Sequence, residues 1–253
     1  MEVHAHSHTS EPGLHRGRKK WTHYFWEFLM LFLAVFCGFL AEYQLEHKIE
    51  KNRERQYMQS MITDLNTDLT NMSLTLDEKE TMINVGDSIT QTFIHGNHEQ
   101  QSAKLYYYAR NFSTLKNLFL MTDGTLRQLK NSGGLRLIRK SNVVDSLQAY
   151  DNIYQQFVVT QQNEIDYLMQ YRDMMGKIFD VKVFNGMVKT YPDIMMPEGN
   201  PELFGTDKQQ VNEFLLKIHL LKRTKLAEIF YLDQLRRKAN NLVTLIKKEY
   251  RIS

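Results

Sequence analysis

Residues 25–43 read FWEFLMLFLAVFCGFLAEY, and from Phe28 to Ala41 every residue is apolar or glycine. A helix rising about 1.5 Å per residue needs about 20 residues to cross roughly 30 Å of hydrocarbon. The uninterrupted run falls short of that. Tyr24, Phe25 and Trp26 on one side, and Tyr43 and Leu45 on the other, bring it to length, and they place aromatic rings where an interfacial belt belongs. The same run would also suit a buried helix of a soluble protein, but with 24% charged residues the chain has too little apolar surface to surround one. The expectation is a transmembrane helix over 24–45. A tail over 1–20 precedes it, and a helical bundle domain over 46–253 follows.

Arg16, Arg18, Lys19 and Lys20 ahead of the apolar run also fit the start of a cleaved signal. A small-x-small cleavage site is missing, because Phe39 stands three residues before the one plausible cut near Ala41. The segment is therefore read as a retained anchor. Positive charges near a span set its direction, and here they tie. Lys48, Lys51, Arg53 and Arg55 on the far side match the amino-side cluster in number. The far-side cations alternate with Glu46, Glu50 and Glu54, whereas the amino-side cluster is unaccompanied. That tips the expectation toward a cytoplasmic amino terminus, and so to a bacterial inner-membrane protein with its helical domain in the periplasm.

Within the span, Glu27 follows His23 by four residues, so the two share a helix face. Anchoring or helix pairing is the expected role for Glu27, since it lies about a turn from the interface. Cys37 is the only cysteine, which excludes an intrachain disulfide framework and a cysteine-rich zinc site. In the tail, His4, His6, His8 and His15 offer imidazoles that zinc, copper or nickel would accept. They lack helical spacing and supporting partners, so no metal site is assigned.

Beyond the span no proline occurs between Pro12 and Pro192, which permits long helices. EHKIEKNRERQ (residues 46–56) alternates charge at helical spacing and solvates a helix leaving the bilayer. Met58, Ile62, Leu65, Leu69, Met72 and Leu76 then form a heptad seam, so span and seam are expected to run as one helix. A second seam comprises Val143, Leu147, Tyr150, Tyr154, Phe157, Leu168, Tyr171, Met175 and Ile178, broken at Gln161 and Glu164. A third comprises Val211, Phe214, Ile218, Leu221, Leu232, Leu235, Ala239, Leu242 and Ile246, broken at Lys225 and Glu228. Each helix would be insoluble alone. Packing the stripes together gives an all-α antiparallel bundle of long helices.

The connectors carry their own signals. His95-Gly96-Asn97-His98 reads as an interhelical turn, and Ser132-Gly133-Gly134 as the end of a short helix from Gly124 to Asn131 that Asp123 can cap. Ser141 is a candidate cap for the second long helix, and Thr206 or Asp207 for the third. Residues 181–205 hold three of the four prolines among apolar side chains, and are expected to pack on the bundle as an ordered loop. A binding site, if present, is expected at this loop or at the glycine turn.

FLMLFLAVFCGFLAE (28–42), EKNRERQYMQSMITDLNTDL (50–69) and LKNSGGLRLIRKSNVVDSLQAYDN (129–152) together resemble a family of uncharacterised bacterial single-pass membrane proteins. In that family an amino-terminal anchor precedes a helical domain of unknown function. Leu129, Ser132, Gly133, Leu135, Leu137, Ile138 and Tyr150 occupy the similar positions. The resemblance implies a bacterial inner-membrane location and carries over no catalytic residue.

Known chemistries find little purchase. GxxxxGK[ST], GxGxxG, HExxH and GxSxG are all missing, and no histidine has a glutamate three residues before it. Asp64 and Asp68 share a helix face and are expected to be surface carboxylates. His95, His98 and Glu99 could hold a metal on a loop, but a solvent-exposed turn is the expected role. Tyr106, Tyr107 and Tyr108 beside Lys104 and Arg110 suggest base stacking, yet a net charge of +3 is too mild for a phosphate-tracking surface. One ring is expected to be buried and the others to sit at the surface.

No catalytic, cofactor-binding or metal residue is assigned, and nucleic acid is not an expected partner. The expected function is a membrane-anchored helical scaffold or protein-interaction domain, partnered by the lipid bilayer and by a second protein or further copies of itself. The alternative is an extracytoplasmic input domain that binds a small ligand and acts through a partner. An enzyme with an unrecognised site is disfavoured, because the polar clusters lack convergent chemistry.

Overall fold

The computed structural model describes residues 21–116, 118–190 and 193–252, so the histidine tail and its cations lie outside the described residues. The architecture is all-α. Its elements are α1 (Trp21–Ile94), α2 (Ser102–Phe112), α3 (Gly124–Asn131), α4 (Ser141–Ile178), α5 (Val181–Met187), a hairpin of β1 (Val188–Thr190) and β2 (Asp193–Ile194), and α6 (Lys208–Tyr250). Two compact units divide within α1, between Asn52 and Arg53.

The first unit is the amino-terminal part of α1. It is long and apolar enough to cross a membrane, and none of its apolar window is buried by protein. Phe28, Phe32 and Phe36 stack at one-turn intervals, with ring centroids 6.2 and 5.7 Å apart. His23 and Glu27 meet at 3.2 Å, as their spacing requires.

The second unit, from Arg53 onward, is a bundle with four positions. α1 ascends to Ile94. The chain then descends as a broken element comprising α2, an extended stretch, α3 and a 3-10 turn (Gly134–Leu137). Its direction follows from its contacts with α1. Phe112 lies beside Gly86, Thr122 N–H donates to Asp68, Thr125 N–H to Asp64, and Arg139 N–H to Glu54. α4 ascends beside α1, as Tyr150 O–H donating to Asp68 and Lys79 donating to Glu164 require. α6 descends, with Lys222 on Asp87 near its start and Tyr250 O–H donating to Glu54 at its end. Each position therefore runs opposite to the one before it. The antiparallel bundle expected from three seams is completed by a broken fourth element.

The seams bury as their periods dictate. Met58, Leu65 and Met72 on α1, Val143, Leu147, Phe157 and Tyr171 on α4, and Phe214, Ile218, Leu232 and Ile246 on α6 are all shielded from solvent. Burying a side chain of this size stabilises by about 1.5–3 kcal/mol. The apolar core is split into two clusters. One gathers Met58 to Leu76 with Phe119, Phe157 and Leu232 to Ile246. The other gathers Met82 to Phe93 with α2, Leu168 to Phe179 and Phe214 to Leu221. Between them lie Lys79, Glu164, Lys225 and Glu228, all buried.

Several local expectations are met and three are corrected. Ser141 is the first residue of α4 rather than its cap, and Lys140 at the cap position makes no side-chain capping bond. Asp207 caps α6, its carboxylate accepting from Gln209 N–H and Gln210 N–H at 3.0 and 3.2 Å. Gly96 and Gly133 take the left-handed conformation at their turns. Tyr106 is the buried ring of its triplet. Asp123 flanks α3 but turns to Arg127, and α1 supplies the acceptor instead, through Asp64. Asp68 is not a surface carboxylate. It is 1% exposed, because the descending element lies across it and Thr122 and Tyr150 donate to it. The described residues of the expected loop, 181–190 and 193–205, include α5 and the hairpin, with Met187, Ile194 and Leu203 packed on the second cluster.

Candidate functional site

The end of the bundle where α1 stops carries a cleft of about 410 Å³. One wall comes from the turn after α1. Gly96, at φ 72°, lets Gly96 N–H and Asn97 N–H turn back onto Phe93 and Thr92 carbonyls. The chain then reaches His98, whose ring stacks on Phe93 with centroids 5.7 Å apart. Glu99 and Ser102, the first residue of α2, complete this wall.

The other wall is the segment leading into α6, with Asn200, Pro201, Glu202, Leu203 and Thr206 on the cleft. It is tightly held. Phe204 N–H donates to Ile178 O at 2.9 Å. Tyr106 O–H donates to Glu202 O at 2.9 Å and accepts from Asp180 N–H at 2.9 Å, so one buried phenol clips both chain segments. Gly205 passes so close to the end of α4 that a Cβ there would lie 2.3 Å from Lys177 O. The walls are thus fixed by backbone hydrogen bonds and by a close approach only glycine allows. Such fixing is what a preformed ligand pocket needs.

Two polar atoms of residues lining this cleft have no hydrogen-bond partner among the described residues: His98 Nδ1 and Ser102 Oγ, both buried. Ser102 as a residue is 1% exposed. A buried unsatisfied group costs about 1–3 kcal/mol. Two such groups on one cavity are an unmet demand for hydrogen bonds, which a bound molecule would supply. The sequence reading pointed to the glycine turn and the proline loop separately, and the structure brings them together. It missed Ser102, whose place at a helix start gives no signal of burial.

The second polar feature is the charged layer inside the bundle. Lys79 and Lys225 both donate to Glu164. Lys79 Nζ also lies 2.7 Å from the Glu228 carboxylate. Burial pushes Glu228 up to about 8, with the Glu164 charge adding to the effect and Lys79 only partly opposing it. Burial acts on Glu164 in the same direction, but the Lys225 and Lys79 charges outweigh it and hold that carboxyl down to about 2. Burial also lowers Lys225, against the pull of Glu164. The layer has no opening to solvent through which a substrate could reach it, as all four side chains are at most 5% exposed. It joins α1, α4 and α6 through buried ion pairs. Its signal was present in the sequence as breaks in the seams at Glu164, Lys225 and Glu228, whose opposite signs on different helices are what a buried pair requires.

Other candidates disperse. His95 is exposed on the turn, and only His98 of the pair reaches the cleft. Among the described residues, no group of three or more His, Cys, Asp or Glu converges as a metal cage. The tail histidines lie outside the described residues. Comparison with protein families, curated proteins and solved structures finds no match to this chain.

Proposed function

We propose that this protein is a membrane-anchored, non-catalytic helical interaction domain. The observation that carries it is a second stripe on α6. Leu216, Leu226 and Phe230 are 50, 44 and 60% exposed, on the face opposite the buried seam. Leu226 and Phe230 lie one turn apart and Leu216 lies fourteen residues before Phe230, with the polar His219 and Arg223 on the same face between them. Exposed apolar side chains gathered on one helix face are what a partner helix docks against. The occupant is a helix of a second protein or of another copy of this chain. The exposed apolar span of α1 supports attachment to a bilayer. The sequence resemblance supports a bacterial inner membrane, and the unaccompanied amino-side cations support a periplasmic bundle.

Crosslinking in membranes with a carboxyl-terminal tag tests this. The unaltered chain is expected to yield a discrete adduct, and Leu226→Glu with Phe230→Glu to abolish it without lowering the melting temperature, since both positions face solvent. An adduct unaffected by the pair, or no adduct from the unaltered chain, contradicts the proposal. The same tag is expected to be protease-accessible in spheroplasts, and its protection there would reverse the orientation.

A second reading is favoured by one specific observation, the cleft with its unpartnered Ser102 and His98. Here the domain receives a small ligand at the end of the bundle and passes the event to the docked partner. The two readings share the same surface and differ in whether the cleft is filled.

A further inference from the structure

The ligand-receiving reading leaves the identity of the ligand open, and the charges on the cleft narrow it. Glu99 and Glu202 line it from opposite walls, and none of the described lining residues is a lysine or arginine. α2 begins at Ser102 and aims its amino terminus at this region. A helix amino terminus behaves as about half a positive charge. Two carboxylates outweigh it, and the carboxyl end of α1, which stops at Ile94 just before the turn, adds about half a negative charge to their side. The field in the cleft therefore favours a cation.

Hydrogen-bonding capacity narrows the ligand further. Ser102 Oγ and His98 Nδ1 are both buried and unpartnered. A hydroxyl both donates and accepts, and an imidazole nitrogen does one or the other according to tautomer. A bare alkali ion would satisfy the carboxylates and could coordinate a lone pair, but it could not accept a hydrogen bond from the Ser102 hydroxyl. The absence of a convergent cage among the described residues disfavours a transition metal. The volume of about 410 Å³ falls in the range of small-molecule sites. We infer that the cleft binds a small organic amine. Its ammonium group lies between Glu99 and Glu202, and its polar remainder reaches Ser102 and His98. This rests on the ligand-receiving reading above.

Isothermal titration calorimetry on the full chain in detergent micelles tests the inference, with putrescine, ethanolamine and choline as cationic probes and succinate and inorganic phosphate as anionic ones. The expected result is saturable heat from at least one amine and none from either anion. Glu99→Gln with Glu202→Gln is expected to weaken amine binding by about tenfold or more, the loss of a charge-assisted hydrogen bond. Ser102→Ala is expected to weaken it as well, with an unchanged melting temperature in both variants. Saturable heat from succinate or phosphate alone overturns the amine assignment and leaves the ligand-receiving reading standing. Amine heat that all three substitutions leave unchanged places the binding elsewhere and overturns the assignment to this cleft. No heat from any probe at about 10 mM, a concentration that detects even weak binding, overturns both.

Discussion

At the scale of single residues, the same side chain type does opposite jobs according to what lies across it. Glu164 and Glu228 are buried glutamates in one layer, yet one is held ionised by two lysines while the other is pushed toward its neutral form. The consequence for stability has a definite sign. Glu228 is raised from 4.5 to about 8, so the stabilisation from its protonated form is present below pH 4.5 and lost as the pH climbs through 8. Glu164 is lowered, so its contribution is present above pH 4.5 and lost as the pH falls toward 2. Lys225 is lowered too, and its contribution runs the other way from that of Glu228, growing as the pH rises toward 10.5. In a domain of this size about 1 kcal/mol moves the melting temperature by about 2–4 °C. The melting temperature is therefore expected to fall by several degrees between pH 5 and pH 8. Glu228→Gln, which fixes the neutral form, is expected to flatten that slope in a calorimetric pH series. An equally steep slope in the variant would show that Glu228 does not hold the proton.

The same scale shows where reading from sequence stops. Asp68 alternates with the apolar seam and so looks like a solvated carboxylate. It is buried because a backbone segment more than fifty residues later crosses it. Burial raises its carboxyl, while hydrogen bonds from Thr122 and Tyr150 work in the opposite direction. Periodicity reports which face of a helix is apolar, and carries nothing about which distant backbone arrives at the boundary of that face.

At the scale of elements, the long helices were legible because each has a seven-residue apolar repeat and lacks proline. The descending element was only partly legible. α3 announced itself through glycine punctuation, but α2 and the extended stretch after it have no sustained period. Their position is set by contacts with α1 and α4. Arg172 donates to Ser113 O at 2.9 and 2.7 Å, and Tyr154 O–H accepts from Met121 N–H at 3.3 Å.

The charged layer also belongs to this scale, because it couples three helices. Removing one partner of a buried pair leaves the other charge uncompensated and costs about 3–5 kcal/mol. Replacing a whole buried ionic group by apolar residues of similar volume is often neutral or stabilising by about 1–4 kcal/mol. Lys79→Met alone is thus expected to lower stability strongly in urea melts. The quadruple change Lys79→Met, Lys225→Met, Glu164→Leu and Glu228→Leu is expected to restore it. Equal losses in both would mean that the layer stabilises the fold directly. Recovery would leave the selection of register as what the charges contribute.

At the scale of the whole molecule, the chain separates into an apolar helical unit and a bundle, and the sequence foretold both. The cleft was not foretold as a cavity, only as two loops with irregular composition, since a cavity arises from how loops meet. The outward stripe on α6 escaped notice for a different reason. Only Leu216, Leu226 and Phe230 are apolar there, with His219 and Arg223 between them, so the face has no period to set beside the buried seam.

The central claim is that this outer face of α6 receives a partner helix while the chain sits in a membrane. Photo-crosslinking with benzoylphenylalanine in place of Leu226, in intact membranes, tests it most directly. The prediction is one discrete adduct from position 226 and none from benzoylphenylalanine in place of Asn240, which is exposed further along the same helix. No adduct from position 226, or the same diffuse labelling from both positions, would contradict it.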